Sequence, residues 1–124
     1  MAIIKKFEDL EIWKMSRIQV QKINIVTLNI SFELARQIRR SSASVMDNIA
    51  EGFGRGGRKE FKNFLIIAKG SNAEVKSQLY RITDIEEFNK TIVEEIMKDN
   101  EFLSKKISSL IKYLKESERK GPNY

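Results

Sequence analysis

Apolar residues return at steps of three and four over most of the chain, the spacing that lines one face of a helix. Leu34, Ile38, Ser41 or Ser42, Val45, Ile49 and Phe53 form one stripe and predict a helix over about 33–51. Phe61, Phe64 or Leu65, Ala68, Asn72, Val75, Leu79 and Ile82 form a second and predict a long helix over about 58–85. A third stripe, Ile92, Ile96, Leu103, Ile107, Leu110 or Ile111 and Leu114, predicts a helix over about 91–116. Thr91 is its expected N-cap, with Glu94 and Glu95 suited to the positive end of the dipole. Near the start, Leu10, Trp13, Val20 and Ile23 share a face, so a helix over about 9–29 capped by Asp9 is expected. The only proline is Pro122, and four of the six glycines fall within 52–57, so breakers are nearly absent elsewhere. Four helices with short connections read as one all-α domain, an antiparallel up-and-down four-helix bundle over 1–116, with a flexible C-terminal tail over 117–124.

Two helices carry more apolar residues than one buried stripe needs. Ile12, Met15, Ile18, Ile25 and Val26 fall off the first stripe, and Val93, Met97, Phe102 and Tyr113 fall off the last. Either the core face is broad, or part of the surface meets another subunit.

Composition narrows the chemistry. The 124 residues contain neither cysteine nor histidine, which removes thiolate nucleophiles, His-based triads and the usual zinc and haem ligands. No catalytic residue, metal or cofactor is expected, and the adjacent acidic pairs Glu86/Glu87 and Glu94/Glu95 read as a solvated face because neighbouring helical residues diverge by about 100°. No stretch approaches the ~20 apolar residues of a membrane span, and charge precedes any apolar run long enough for a signal peptide. A cytoplasmic protein without membrane contact is expected, in keeping with the absence of cysteine.

Charge is unevenly placed. Residues 36–69 hold eight basic side chains against three acidic ones, a balance of +5 in a chain of net charge +6. Residues 84–101 hold two against seven, a balance of −5. Such polarity steers nucleic acid to one end of a molecule or aligns neighbouring subunits. In the basic segment, Gly52, Gly54, Gly56 and Gly57 lead with Arg55, Arg58, Lys59 and Lys62 into a helix start, where free amides and the dipole favour phosphate. The same glycines also suit a plain helix-to-helix turn. Arg39, Arg55, Arg58, Lys59 and Lys62 are therefore candidate phosphate contacts, with Asn48 and Glu51 ordering the end of the preceding helix. A hairpin centred on residue 55 sets Arg40 opposite Gly70 and Arg36 opposite Glu74, where the carboxylate would partly neutralise the arginines. Ser41, Ser42 and Ala43 would then face Ala68, Gly70 and Ser71, letting the backbones approach closely. Phe53 and Phe61 could stack on bases, but their spacing suits the core better.

Several runs together resemble one family. Arg39-Arg40-Ser41-Ser42-Ala43-Ser44, followed by Asp47-Asn48-Ile49-Ala50-Glu51-Gly52-Phe53-Gly54-Arg55, is similar to the hallmark of the four-helix bundle proteins encoded in 23S ribosomal RNA intervening sequences. Phe7-Glu8-Asp9-Leu10-Glu11-Ile12-Trp13-Lys14, Lys59-Glu60-Phe61 with Phe64-Leu65, and Ala68-Lys69-Gly70-Ser71 with Glu74 and Gln78-Leu79 resemble it too, so the likeness spans about 7–85. Met46 stands where the family pattern has proline, which removes a kink. The resemblance implies a ring-like homo-oligomer, a pentamer, in which five copies would carry five times the +6 of one chain. It also implies an association with RNA or DNA, since related bundles are nucleic-acid-binding accessory subunits of reverse transcriptases, and it brings no catalytic activity. A protein-interaction scaffold without nucleic acid is the alternative.

Overall fold

The computed structural model describes residues 3–85 and 90–119. After a short 3-10 turn, Phe7–Asp9, come α1 (Glu11–Val26), α2 (Phe32–Gly54), α3 (Arg58–Ile85) and α4 (Lys90–Arg119). Each packs on its neighbours in sequence, and α1 closes the square against α4. Cross-helix pairs run antiparallel throughout: Thr27 meets Arg39, Ser44 meets Ser71, Lys76 meets Glu101, and Glu11 meets Lys106. The described residues thus form the expected all-α up-and-down arrangement.

Helix limits differ from expectation where local hydrogen bonding outweighs hydrophobic pattern. Asp9 ends the 3-10 turn and does not cap α1, which starts after Leu10 with no side-chain cap. Thr27 closes α1 three residues before the predicted end, its hydroxyl donating to Ile23 O at 2.6 Å. Ser31 caps α2, accepting from Leu34 N–H. At its far end α2 runs through Gly52 and Gly54, since glycine weakens a helix by only about 1 kcal/mol when packing holds it. Thr91 lies inside α4, and α4 continues over 117–119, which the tail had been expected to include. Residues 120–124 of that tail, and Glu86 and Glu87, lie outside the described residues.

The core stripes of α2 and α3 follow the apolar periodicity, with Leu34, Ile38, Val45 and Ile49 facing Leu65, Ala68, Val75, Leu79 and Ile82. The stripe on α1 is instead Ile12, Ser16, Gln19, Ile23 and Val26, while Trp13 and Val20 are only half-buried. On α4, Val93 is buried and Ile92 is exposed, and Asn100 fills the core position between Ile96 and Leu103. Three of these buried residues are amides, and they find one another. Gln19 Nε2 donates to Asn72 Oδ1 at 3.0 Å, and Asn100 Nδ2 donates to Gln19 Oε1 at 2.9 Å. Asn72 and Asn100 each donate to the other's backbone carbonyl, at 3.0 and 3.1 Å, and Asn72 also reaches Ser104 Oγ. The cluster ties α1, α3 and α4 together at mid-bundle. Because an unpaired buried amide is costly, only one axial register of the three helices satisfies it.

Candidate nucleic-acid interface

The α2–α3 corner is built by two glycines with different tasks. Gly56 has φ of +84°, the left-handed conformation that turns the chain out of α2. Gly52 sits where the helices touch: a Cβ there would lie 2.5 Å from the Phe64 Cβ and 3.2 Å from the Phe61 ring. Nothing lies within 4 Å of a Cβ at Gly54 or Gly70. The close approach expected beside Gly70 therefore occurs at Gly52. Contacts pairing 52 with 64, 44 with 71 and 37 with 81 centre the hairpin near residue 58, three positions beyond the centre inferred from the glycines. Phe53 and Phe61 meet edge to face at 5.7 Å and cover this end of the core.

Around the corner, the candidate cations have unlike surroundings. Arg55 bonds Glu51 Oε1 at 2.9 Å and lies over the Phe64 ring at 5.2 Å, yet half its side chain stays exposed. Arg58 and Lys59 open α3, are exposed, and have no ion pair among the described residues. Phe61 N–H makes the first helical bond, to Gly57 O, so the amides of residues 58, 59 and 60 have no acceptor within the helix. Glu60 curls back over Gly57 and screens part of that end. Lys62 is turned inward and pairs with Glu118 near the end of α4.

Arg39 stands apart from this group. It lies on the α1 side of α2, where Nε donates to Thr27 Oγ1 at 2.9 Å and Nη2 to Asn24 O at 3.5 Å. Sixteen residues of helix, about 24 Å, separate it from Arg55. Asn48 also bonds within the bundle, donating to Ser44 O and Ser44 Oγ, and Ser44 shares a 2.8 Å hydrogen bond with Ser71. Arg55, Arg58 and Lys59 are thus the candidates that share one exposed corner.

Arg36 and Arg40 do face α3 beside Glu74, as the hairpin predicts, but no ion pair forms with it among the described residues. Phe53 and Phe61 are partly buried against the core. Sequence reasoning did not foresee the buried amide cluster, because polar residues on an apolar stripe carry no periodic signal of their own. Among the described residues no acidic cluster could hold a metal ion, and no helix is long and apolar enough to cross a membrane.

Comparison with known proteins places the chain among relatives of unassigned activity. No curated protein matches it. A crystal structure of a protein of unknown function from the S23 ribosomal protein family of Bacteroides thetaiotaomicron superposes with a TM-score of 0.74 at 26% identity, covering 82% of this chain and 98% of that one. The family model for the 23S rRNA-intervening sequence protein matches residues 8–109, which takes in α1 through α3 and most of α4. With four helices in the predicted order and that match over most of its length, this chain belongs to the 23S rRNA-intervening sequence protein family.

Proposed function

We propose that the protein is a non-enzymatic, self-assembling bundle that binds structured RNA or DNA weakly and without sequence preference. The observation that carries this reading is the exposed α2–α3 corner, where Arg58 and Lys59 have no carboxylate partner and stand beside free helix amides and Arg55. Phosphate suits that combination, because unpaired cations, amide donors and the dipole act on one point. Lys62 adds to the field while held by Glu118, and Arg39 holds α1 against α2. Assembly into a ring, a pentamer in the family resemblance, would set such corners side by side and multiply a weak contact. Changing Arg55, Arg58 and Lys59 to Ala together should weaken retention on RNA of any sequence and flatten the decline of affinity with salt, since fewer counterions are released. Equal retention of the triple variant and the wild type on a phosphocellulose or RNA column would exclude this corner.

A second reading, a protein-interaction scaffold, has its own observation. Ile18, Ile25, Phe102 and Tyr113 remain 48%, 71%, 53% and 61% exposed on α1 and α4. Reversing one charge in 36–69 and one in 84–101 separates the two: a scaffold contact is restored by the double reversal, a phosphate contact is not.

A further inference from the structure

We propose that the cleft between α2 and α3 walled by Arg36, Arg40, Glu74 and Gln78 is a nucleotide site that prefers guanine. The cleft encloses about 260 Å³, and Gln37 and Ser41 complete its lining. Those two are already committed: Gln37 donates to Glu33 and accepts from Arg81, and Ser41 donates to Gln37 O. The other four keep their polar groups free. Arg40 and Glu74 have no ion pair among the described residues, and Arg36 reaches only Glu33, at 4.0 Å. Gln78 Oε1 is buried without a hydrogen-bond partner.

The two walls differ in kind. Arg36 and Arg40, one helical turn apart, present two guanidiniums; Glu74 and Gln78, one turn apart on the facing helix, present a carboxylate and an amide oxygen. A complementary ligand is anionic at one end and carries adjacent hydrogen-bond donors at the other. Among nucleotides, guanine supplies two neighbouring donors on one edge, N1–H and N2–H, for the Glu74 carboxylate and Gln78 Oε1. Adenine and cytosine would set a ring-nitrogen acceptor against one of those oxygens, and uracil offers one donor between two acceptors. The phosphate then falls to Arg36 and Arg40, whose planar groups also stack on bases. The choice of a nucleotide over other ligands of this polarity rests on the nucleic-acid reading above. The source is a free guanine mononucleotide or an unpaired guanosine in a strand.

Calorimetric titration of the intact protein at low salt with GMP, AMP and inorganic phosphate, joined by two RNA hairpins differing only by G or A in the loop, tests this. Saturable GMP binding about tenfold tighter than AMP or phosphate is expected, the discrimination of a good paired base contact. Glu74→Ala should erase the preference for GMP over AMP, while Arg36→Ala with Arg40→Ala weakens both nucleotides alike; circular dichroism melts confirm that the variants fold. A loop-G preference assigns the strand as the source, and GMP binding without it assigns the free nucleotide. GMP binding no tighter than phosphate, or a preference that survives Glu74→Ala, overturns the site. RNA retention that persists beside failed GMP binding overturns the cleft alone. GMP binding retained by the Arg55, Arg58 and Lys59 triple variant shows that the cleft acts independently of the corner.

Discussion

At Gly52 the absence of a single carbon lets α2 and α3 close. A methyl group there would meet the Phe64 Cβ at 2.5 Å, and backbone-anchored atoms on both sides leave little room to shift. Gly52→Ala should cost about 1–3 kcal/mol, the range for overpacking, and lower the melting temperature measured at fixed protein concentration. Gly54 is the control, two residues further along the same helix with open space around it. Gly54→Ala should raise stability by about 0.5–1 kcal/mol, because alanine loses less conformational freedom on entering a helix. Lys22 gives a residue-scale prediction in pH. Hydrogen bonds from its ammonium to Asp99 and then Glu95 hold its pKa above the ordinary lysine value of 10.5, with burial opposing them. A raised folded-state pKa means that the pair stabilises fully below pH 10.5 and loses that effect as pH climbs through the folded value. Lys22→Met should therefore flatten the alkaline fall in urea midpoint, by no more than the roughly 1 kcal/mol of an exposed pair.

Between elements, register is set by polar residues that an apolar reading passes over. The stripes of α2 and α3 were legible because their core positions are nearly all aliphatic, with Leu34, Ile38, Val45 and Ile49 facing Val75, Leu79 and Ile82. On α1 two of five core positions are Ser16 and Gln19, so the apolar signal tilts toward Trp13 and Val20 and misplaces the buried face. The same effect on α4 hides Asn100. The candidate corner was legible as a glycine-marked turn with basic neighbours; Arg39's attachment to Thr27 was not, because it depends on which side of α2 meets α1. The amide cluster gives these positions a measurable weight. Asn100→Ala removes the donor to Gln19 Oε1 and to the Asn72 carbonyl and leaves both buried, which should cost about 1–3 kcal/mol per abandoned group. In a double-mutant cycle, Gln19→Leu with Asn100→Leu should cost less than the sum of the two single changes, since each single change already strands the other amide. Strict additivity of the urea-denaturation free energies would show that the amides do not act as a unit.

For the whole molecule, two asymmetries bear on how copies meet. Basic residues gather at the α2–α3 corner, while Glu94, Glu95 and Asp99 lie toward the start of α4, at the opposite end of an antiparallel bundle. The seam of α1 with α4 is a different surface. Ile18 flanks a cleft of about 230 Å³ with Met15 and Leu103, and Phe102 sits outside it under the Lys106 ammonium. In the proposed ring this seam is the covered face, because burying its apolar side chains supplies the association energy that the charged ends lack. Ile18→Glu with Phe102→Glu places two carboxylates on that face without touching the core, so helicity by circular dichroism should hold while sedimentation velocity shifts from the ring to the monomer. RNA affinity should fall with it, although Arg55, Arg58 and Lys59 are intact, because a closed particle presents several weak sites at once and a monomer presents one. A wild type that sediments as a monomer, or a double variant that keeps both its size and its RNA affinity, would place assembly elsewhere and leave the exposed seam to another partner.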